Sequence, residues 1–242
     1  NGPMKYLKWA IVLGLIIYSG YDLATHWLYT RKGRQKAIFQ PAEKHCFQGG
    51  EKWRYCVYED KNQQDDVYLY YLHGKGMDEN FWNQGQRFSA QVQHYWQAHN
   101  LRPPKVILVS YGPVWFITPK MSKKHTGLLE SFRDEVFPTI EKKLGAPQYR
   151  MVAGISMGGI NTLNLAMYMG EMFQKALAIC PPLYTISPYA SWSEIWEFLK
   201  HSGARPKSMM TVFGVARILF SNEEEWKKFS SVDLVRHVDP DK

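Results

Sequence analysis

The apolar residues of this chain follow two rhythms. Four short, nearly unbroken runs occur in Val67-Tyr-Leu-Tyr-Tyr-Leu72, Lys105-Val-Ile-Leu-Val-Ser-Tyr111, Tyr149-Arg-Met-Val-Ala153 and Lys175-Ala-Leu-Ala-Ile-Cys180. They predict strands covered on both faces, as in a parallel sheet, because such strands have no solvent side to alternate with. Between them the spacing turns helical: Phe88, Val92, Tyr95 and Trp96, then Leu128, Phe132, Val136, Ile140 and Leu144, with Gly145 and Pro147 as the stop. Alternating strands and helices imply an α/β fold with a mostly parallel sheet and helices on both faces. Residues 37–60 alternate instead, Phe47, Trp53, Tyr55 and Val57 inward against Lys52, Arg54 and Tyr58, and predict an antiparallel entry to the sheet. After Pro181-Pro182 the strand character fades. Trp192, Ile195, Trp196, Phe198 and Leu199 keep helical spacing, so 184–229 reads as a helical insert that is partly a lid, and Ser230 to His237 as one more short helix.

The amino-terminal segment has a different character. Asn1-Gly-Pro3 precedes Met4 and is set aside as a cloning remnant. Lys5 and Lys8 lead into an uncharged stretch, Trp9 to Tyr18, with no good cleavage site after it, so residues 4–30 read as an uncleaved signal anchor lying in membrane lipid. Of the net charge of +8, residues 1–40 carry five, from six basic residues against Asp22. The remainder, 37–242, is nearly balanced, which does not point to nucleic acid. The flanks of the anchor disagree with the cysteines about orientation. Arg31, Lys32, Arg34 and Lys36 favour a cytoplasmic globular part. Cys46 and Cys56 flank a turn at Gln48-Gly-Gly-Glu51, a separation that hairpin partners can bridge, and a bond there implies an oxidising compartment; two unpaired thiols remain the alternative. The expectation carried forward is an inner-membrane anchor with an extracytoplasmic domain. Cys180 reads as a small buried hydrophobe closing a core strand.

Chemistry is concentrated in Gly154-Ile-Ser-Met-Gly-Gly159, where a strand runs into a GxSxG turn and then a helix. A serine lifted on such a turn sits at strained backbone angles, and its neighbours two positions away must be small. Gly154 and Gly158 meet that demand, and Gly159 permits close helix-to-sheet packing. Ser156 is the candidate nucleophile, and the Met157 amide, at a helix N-terminus, is one candidate oxyanion donor. A second comes from the loop His73-Gly-Lys-Gly76, with Lys75 or Gly76 as the amide. His73 itself reads as a structural hydrogen-bonding residue. Tyr111 and Trp115, with Phe116, follow a strand end and are candidates for a substrate pocket, with core packing as the even alternative.

The order of strand, HG loop, helix, strand, helix, strand, GxSxG and helix resembles the α/β-hydrolase superfamily, and within it serine esterases of the esterase D type. Tyr71-Leu-His-Gly-Lys-Gly-Met-Asp-Glu-Asn80, Phe132-Arg-Asp-Glu-Val-Phe-Pro138 and Gly154-Ile-Ser-Met-Gly-Gly159 carry the likeness. The resemblance implies hydrolysis of a carboxylic ester or thioester through a Ser156 acyl-enzyme, with no metal and no cofactor. It also implies an acid and a base after two further strands, and no buried β run follows Cys180. Asp233 and His237 stand in the expected order but four apart on one predicted helix. The domain is therefore expected to lack its C-terminal strands, with a further fragment of the same gene product supplying the partners. A catalytically inactive scaffold at the membrane, and acyl transfer to an alcohol other than water, are the rival readings.

Overall fold

A computed structural model describes residues 37–85, 88–120 and 127–237. The predicted anchor, residues 4–30, lies outside them, and among the described residues no helix is long and apolar enough to cross a membrane.

Six strands form one sheet in the order β1-β2-β4-β3-β5-β6: β1 Glu43–Gln48, β2 Arg54–Glu59, β3 Gln64–Leu72, β4 Pro104–Ser110, β5 Tyr149–Ile155 and β6 Lys175–Ile179. The first two pairings, β1 with β2 and β2 with β4, are antiparallel, and β4, β3, β5 and β6 run parallel. The nucleophile strand β5 therefore has β3, and the HG loop that follows it, directly alongside.

Alternation along the strands sorts side chains between two cores rather than between core and water. Trp53, Tyr55 and Val57 of the β2 region join Tyr68, Tyr70, Leu72, Ile107 and Val109 in one cluster, while Cys56, Tyr58, Tyr71, Val106 and Leu108 enter the other. The expected outward face of β2 is thus covered. Tyr58 is buried there because its hydroxyl donates to the Glu79 carbonyl at 2.7 Å, and burial pushes its pKa up.

Helix α1 (Phe88–Ala98) follows the HG loop. Helix α2 spans 129–144 and contains a π turn, Phe132–Val136, between helical segments Leu129–Ser131 and Phe137–Leu144. This explains an oddity of the sequence. Apolar residues exactly four apart would drift about 40° per step around a regular helix, and a wider turn takes up the drift, keeping Phe132, Val136 and Ile140 on the buried face. Arg150 on β5 holds α2 through a two-pronged bond to Glu141, 2.6 Å at each oxygen.

After helix α3 (Met157–Tyr168) and β6, the helices α4 (Trp192–Ser202), α5 (Pro206–Leu219), α6 (Glu223–Lys227) and α7 (Ser231–Leu234) build the insert. Ser191 and Glu194 cap α4 reciprocally, and Gly203 ends it at φ 64°. Rings of Phe220, Trp226 and Phe229 close over Ile160 of α3. Strand β6 pairs with β5 alone among the described residues and is largely exposed, Leu177 included. Cys180 at its end is exposed at φ 46°, not buried as the sequence suggested, because β6 is an edge and the chain turns sharply there into Pro181.

Candidate active site

Ser156 sits at φ 56°, ψ −114°, outside every region that an L-residue adopts freely. Such a conformation costs on the order of 1–3 kcal/mol and persists only where its surroundings impose it. Here they do. Its N–H donates to the Ile179 carbonyl of β6 at 2.9 Å, and its own carbonyl accepts from Ile160 N–H at 3.2 Å, opening α3. A Cβ on Gly158 would lie 1.9 Å from the Leu72 carbonyl oxygen, and one on Gly154 would lie 2.3 Å from the Gly158 carbonyl oxygen. Gly159 would meet Ile179 O at 3.1 Å. Gly158 and Gly154 are therefore required by the close approach of α3 to strands β3 and β5, whereas a side chain at 159 would meet β6 only in a tight contact. The Ser156 hydroxyl has no hydrogen-bond partner among the described residues, and it lines a cavity of about 400 Å³.

The two oxyanion candidates of the HG loop separate in the structure. The Gly76 amide, at φ 73°, donates to the Pro113 carbonyl at 2.8 Å and is already used. The Lys75 amide has no acceptor among the described residues, and Lys75 lines the cavity with Ser156 and Met157. Lys75 and Met157 are thus the pair of backbone donors the site can offer.

His73 is fixed by three contacts and is fully buried. The Trp115 indole N–H, which can only donate, points at Nε2 from 3.1 Å, and the Ser110 hydroxyl lies 2.9 Å from the same nitrogen. The ring proton therefore resides on Nδ1 and is donated to the Gly74 carbonyl at 2.9 Å. Burial lowers the pKa of His73, partly offset by the Gly74 bond and the nearby Asp78 and Glu79 charges. This histidine holds the HG loop and has no lone pair left for Ser156.

Neither Tyr111 nor Trp115 lines the nucleophile's cavity. Trp115 is 5% exposed and stacks on Phe132, while Tyr111 faces a separate cavity near Trp53, its hydroxyl bonded to Ser131 at 2.8 Å and its pKa pushed up to about 12 by burial. Val114 and Phe116 line the cavity instead. The loop after β4 turns 115 inward to reach His73, so its neighbours on both sides face out. Two residues that the sequence reading passed over enforce this. Asn161 accepts from Ile117 N–H at 2.8 Å and donates to the Trp115 carbonyl at 3.2 Å, and Asn164 donates to Ile117 O at 2.9 Å. Both are fully buried, and two asparagines on an otherwise apolar helix were the available signal.

Asp233 and His237 lie in α7 and the 3-10 turn Val235–His237 after it. The α7 helix is tied to α3 where Ser231 donates to Asn164 Oδ1 at 3.0 Å. Asn164 is eight residues beyond Ser156, roughly 12 Å along the helix. The Asp233 carboxylate pairs with Arg236 at 3.6 Å. Asp233 is not among the residues that line the Ser156 cavity, and the His237 side chain lies outside the described residues. No group of three or more potential metal ligands occurs among the described residues.

A protein-family model described as "Putative esterase" matches residues 50–241. The chain belongs to this esterase family. No curated protein sequence matches it. Among solved structures, the esterase is similar to the fluorophosphonate-binding serine hydrolase FphF of Staphylococcus aureus, at 15% identity and a TM-score of 0.51, over 82% of this chain and 74% of that one. It also resembles the S-formylglutathione hydrolase FrmB of the same organism, at 15% identity and a TM-score of 0.44 over the same shares. A ferulic acid esterase matches at 19% identity and a TM-score of 0.42, over 55% of this chain and 58% of that protein's length, so the chain spans less than two thirds of that relative.

Proposed function

We propose that the protein hydrolyses a carboxylic ester or thioester through an acyl-enzyme on Ser156. The observation that carries this reading is Ser156 itself: a serine at φ 56° with an uncommitted hydroxyl, beside two unpaired backbone N–H groups, in a cavity sized for a small ligand. Its Oγ attacks the acyl carbon, the Lys75 and Met157 amides receive the oxyanion, and the bond to the alcohol or thiol breaks. Water then releases the acid. The Ser156 proton must pass through a base to the leaving group. His73 is committed elsewhere and His201 donates through Nδ1 to the Glu197 carbonyl, so His237 with Asp233 is the pair to test. A fluorophosphonate probe, the reagent class named for the S. aureus hydrolase, is expected to label the wild type and not Ser156→Ala. Equal labelling of both overturns the reading and favours a scaffold that retains the fold without turnover. His237→Ala, expected to lose about a thousandfold in kcat with the cavity intact, tests the base.

The second element of the proposal is location: a membrane tether through residues 4–30 with the esterase domain in an oxidising compartment. The Cys46–Cys56 disulfide supports it. An impermeant thiol reagent on intact cells should label these cysteines only after reduction. Labelling that needs lysis but no reductant places the domain inside.

A further inference from the structure

The cavity at Ser156 is built from two kinds of surface. Val114, Phe116, Ile160 and Val212 give it an apolar wall, and the charged residues among its described lining are all cations: Lys75, Arg205 and Lys207. No carboxylate lines it among the described residues. The cations come from opposite sides, Lys75 from the HG loop and the other two from the start of α5 on the insert, so their convergence is a product of the fold and not of a basic stretch of sequence. It also runs against local helix stability. Arg205 caps α5 without a side-chain hydrogen bond, and the first turn of α5 holds no acidic residue to complement the positive end of the helix. An anion between α5 and the HG loop would offset that cost and meet Lys75 as well.

We infer that the substrate is an ester or thioester carrying an anionic oxyacid group, carboxylate or phosphate, on an aliphatic body. The aliphatic part lies on the Val114, Phe116 and Val212 wall, and the anion is received by Lys75 and Arg205. This rests on the reading of Ser156 as nucleophile and adds the substrate's charge to it. The cations also raise the local concentration of anionic esters, an effect that salt removes.

The test compares kcat/KM for 4-nitrophenyl butyrate with that for the 4-nitrophenyl monoester of glutaric acid, which adds a terminal carboxylate, after subtracting the rate of Ser156→Ala. The expected result is a preference for the anionic ester at low salt. The ratio of the two should drop about threefold to fivefold in each of Arg205→Gln and Lys75→Gln, and fall in wild type at 0.5 M salt. A ratio of one or less in wild type, or a ratio indifferent to both substitutions, overturns the inference while leaving the hydrolase reading standing. If no ester is turned over through Ser156, that reading fails, and calorimetric titration of Ser156→Ala decides the anion site separately. Hexyl phosphate or hexanoate binding more tightly than hexanol, and more weakly once Arg205→Gln is added, sustains it; equal affinity of all three sinks it. Whichever anion binds names the source, phosphate or carboxylate.

Discussion

A methyl group on Gly158 would sit 1.9 Å from the Leu72 carbonyl oxygen, a backbone atom that cannot swing aside, so Gly158→Ala must push α3 away from β3. Overpacking of this kind costs about 1–3 kcal/mol, and the displaced helix would carry Met157 and Ser156 with it. The urea midpoint should fall accordingly and fluorophosphonate labelling should be lost together with it. His73 gives a second residue-level expectation, in pH. Burial holds its pKa below the ordinary 6.5, so an unfolded chain takes up a proton near 6.5 that the folded chain refuses. Stability is then complete above about 6.5 and declines as pH falls through the folded value. His73→Gln should flatten that part of the curve of urea midpoint against pH, between pH 7 and 5, while lowering the curve as a whole. The glycine requirement was legible in the spacing around Ser156, since it follows from sterics alone. Which of residues 114, 115 and 116 faces the Ser156 cavity was not, because it depends on Trp115 reaching His73 and on two asparagines from a distant helix.

At the level of elements, the edge hairpin is joined where Cys46 and Cys56 lie directly opposite each other in the β1–β2 register. The bond closes a loop of ten residues in sequence separation, for which loop closure predicts a stabilisation of about 2–3 kcal/mol. Reduction should lower the thermal midpoint but leave Ser156 reactivity in place at temperatures where the protein stays folded, because β4 and β3 stand between the hairpin and β5. Loss of labelling in the folded, reduced protein would show that the hairpin reaches the site. Buried strands β3, β4 and β5 could be read from their continuous apolar runs, and so could α4 from the spacing of Trp192, Ile195, Trp196 and Leu199. The π turn of α2 could not be named in advance, although the exact fourfold spacing of Phe132, Val136 and Ile140 already required some departure from a regular helix. Ala176, Leu177, Ala178 and Ile179 look like a core strand, yet among the described residues β6 has β5 as its one neighbour and is largely exposed, and exposure is a property of neighbours, not of composition.

For the whole molecule, the chemistry and the wall facing it are carried by separate stretches of chain. Ser156, its glycines and the HG loop belong to the sheet and α3, whereas Ser208, Thr211, Val212 and Val215 of α5 reach the cavity from the insert. The insert is anchored to the sheet half through its own contacts, Phe116 edge-on against Phe229 at 5.2 Å beside the cavity and Tyr168 donating to the Lys228 carbonyl at the far end of α3. These two stretches are consequently exposed to mutation on different terms. On the proposed reading of Ser156 as nucleophile, a change at 154, 156 or 158 bears on turnover itself, while a change on the cavity face of α5 bears on which esters fit. Selection can therefore redirect this protein toward a new substrate in single steps, none of which has to pass through an inactive ancestor.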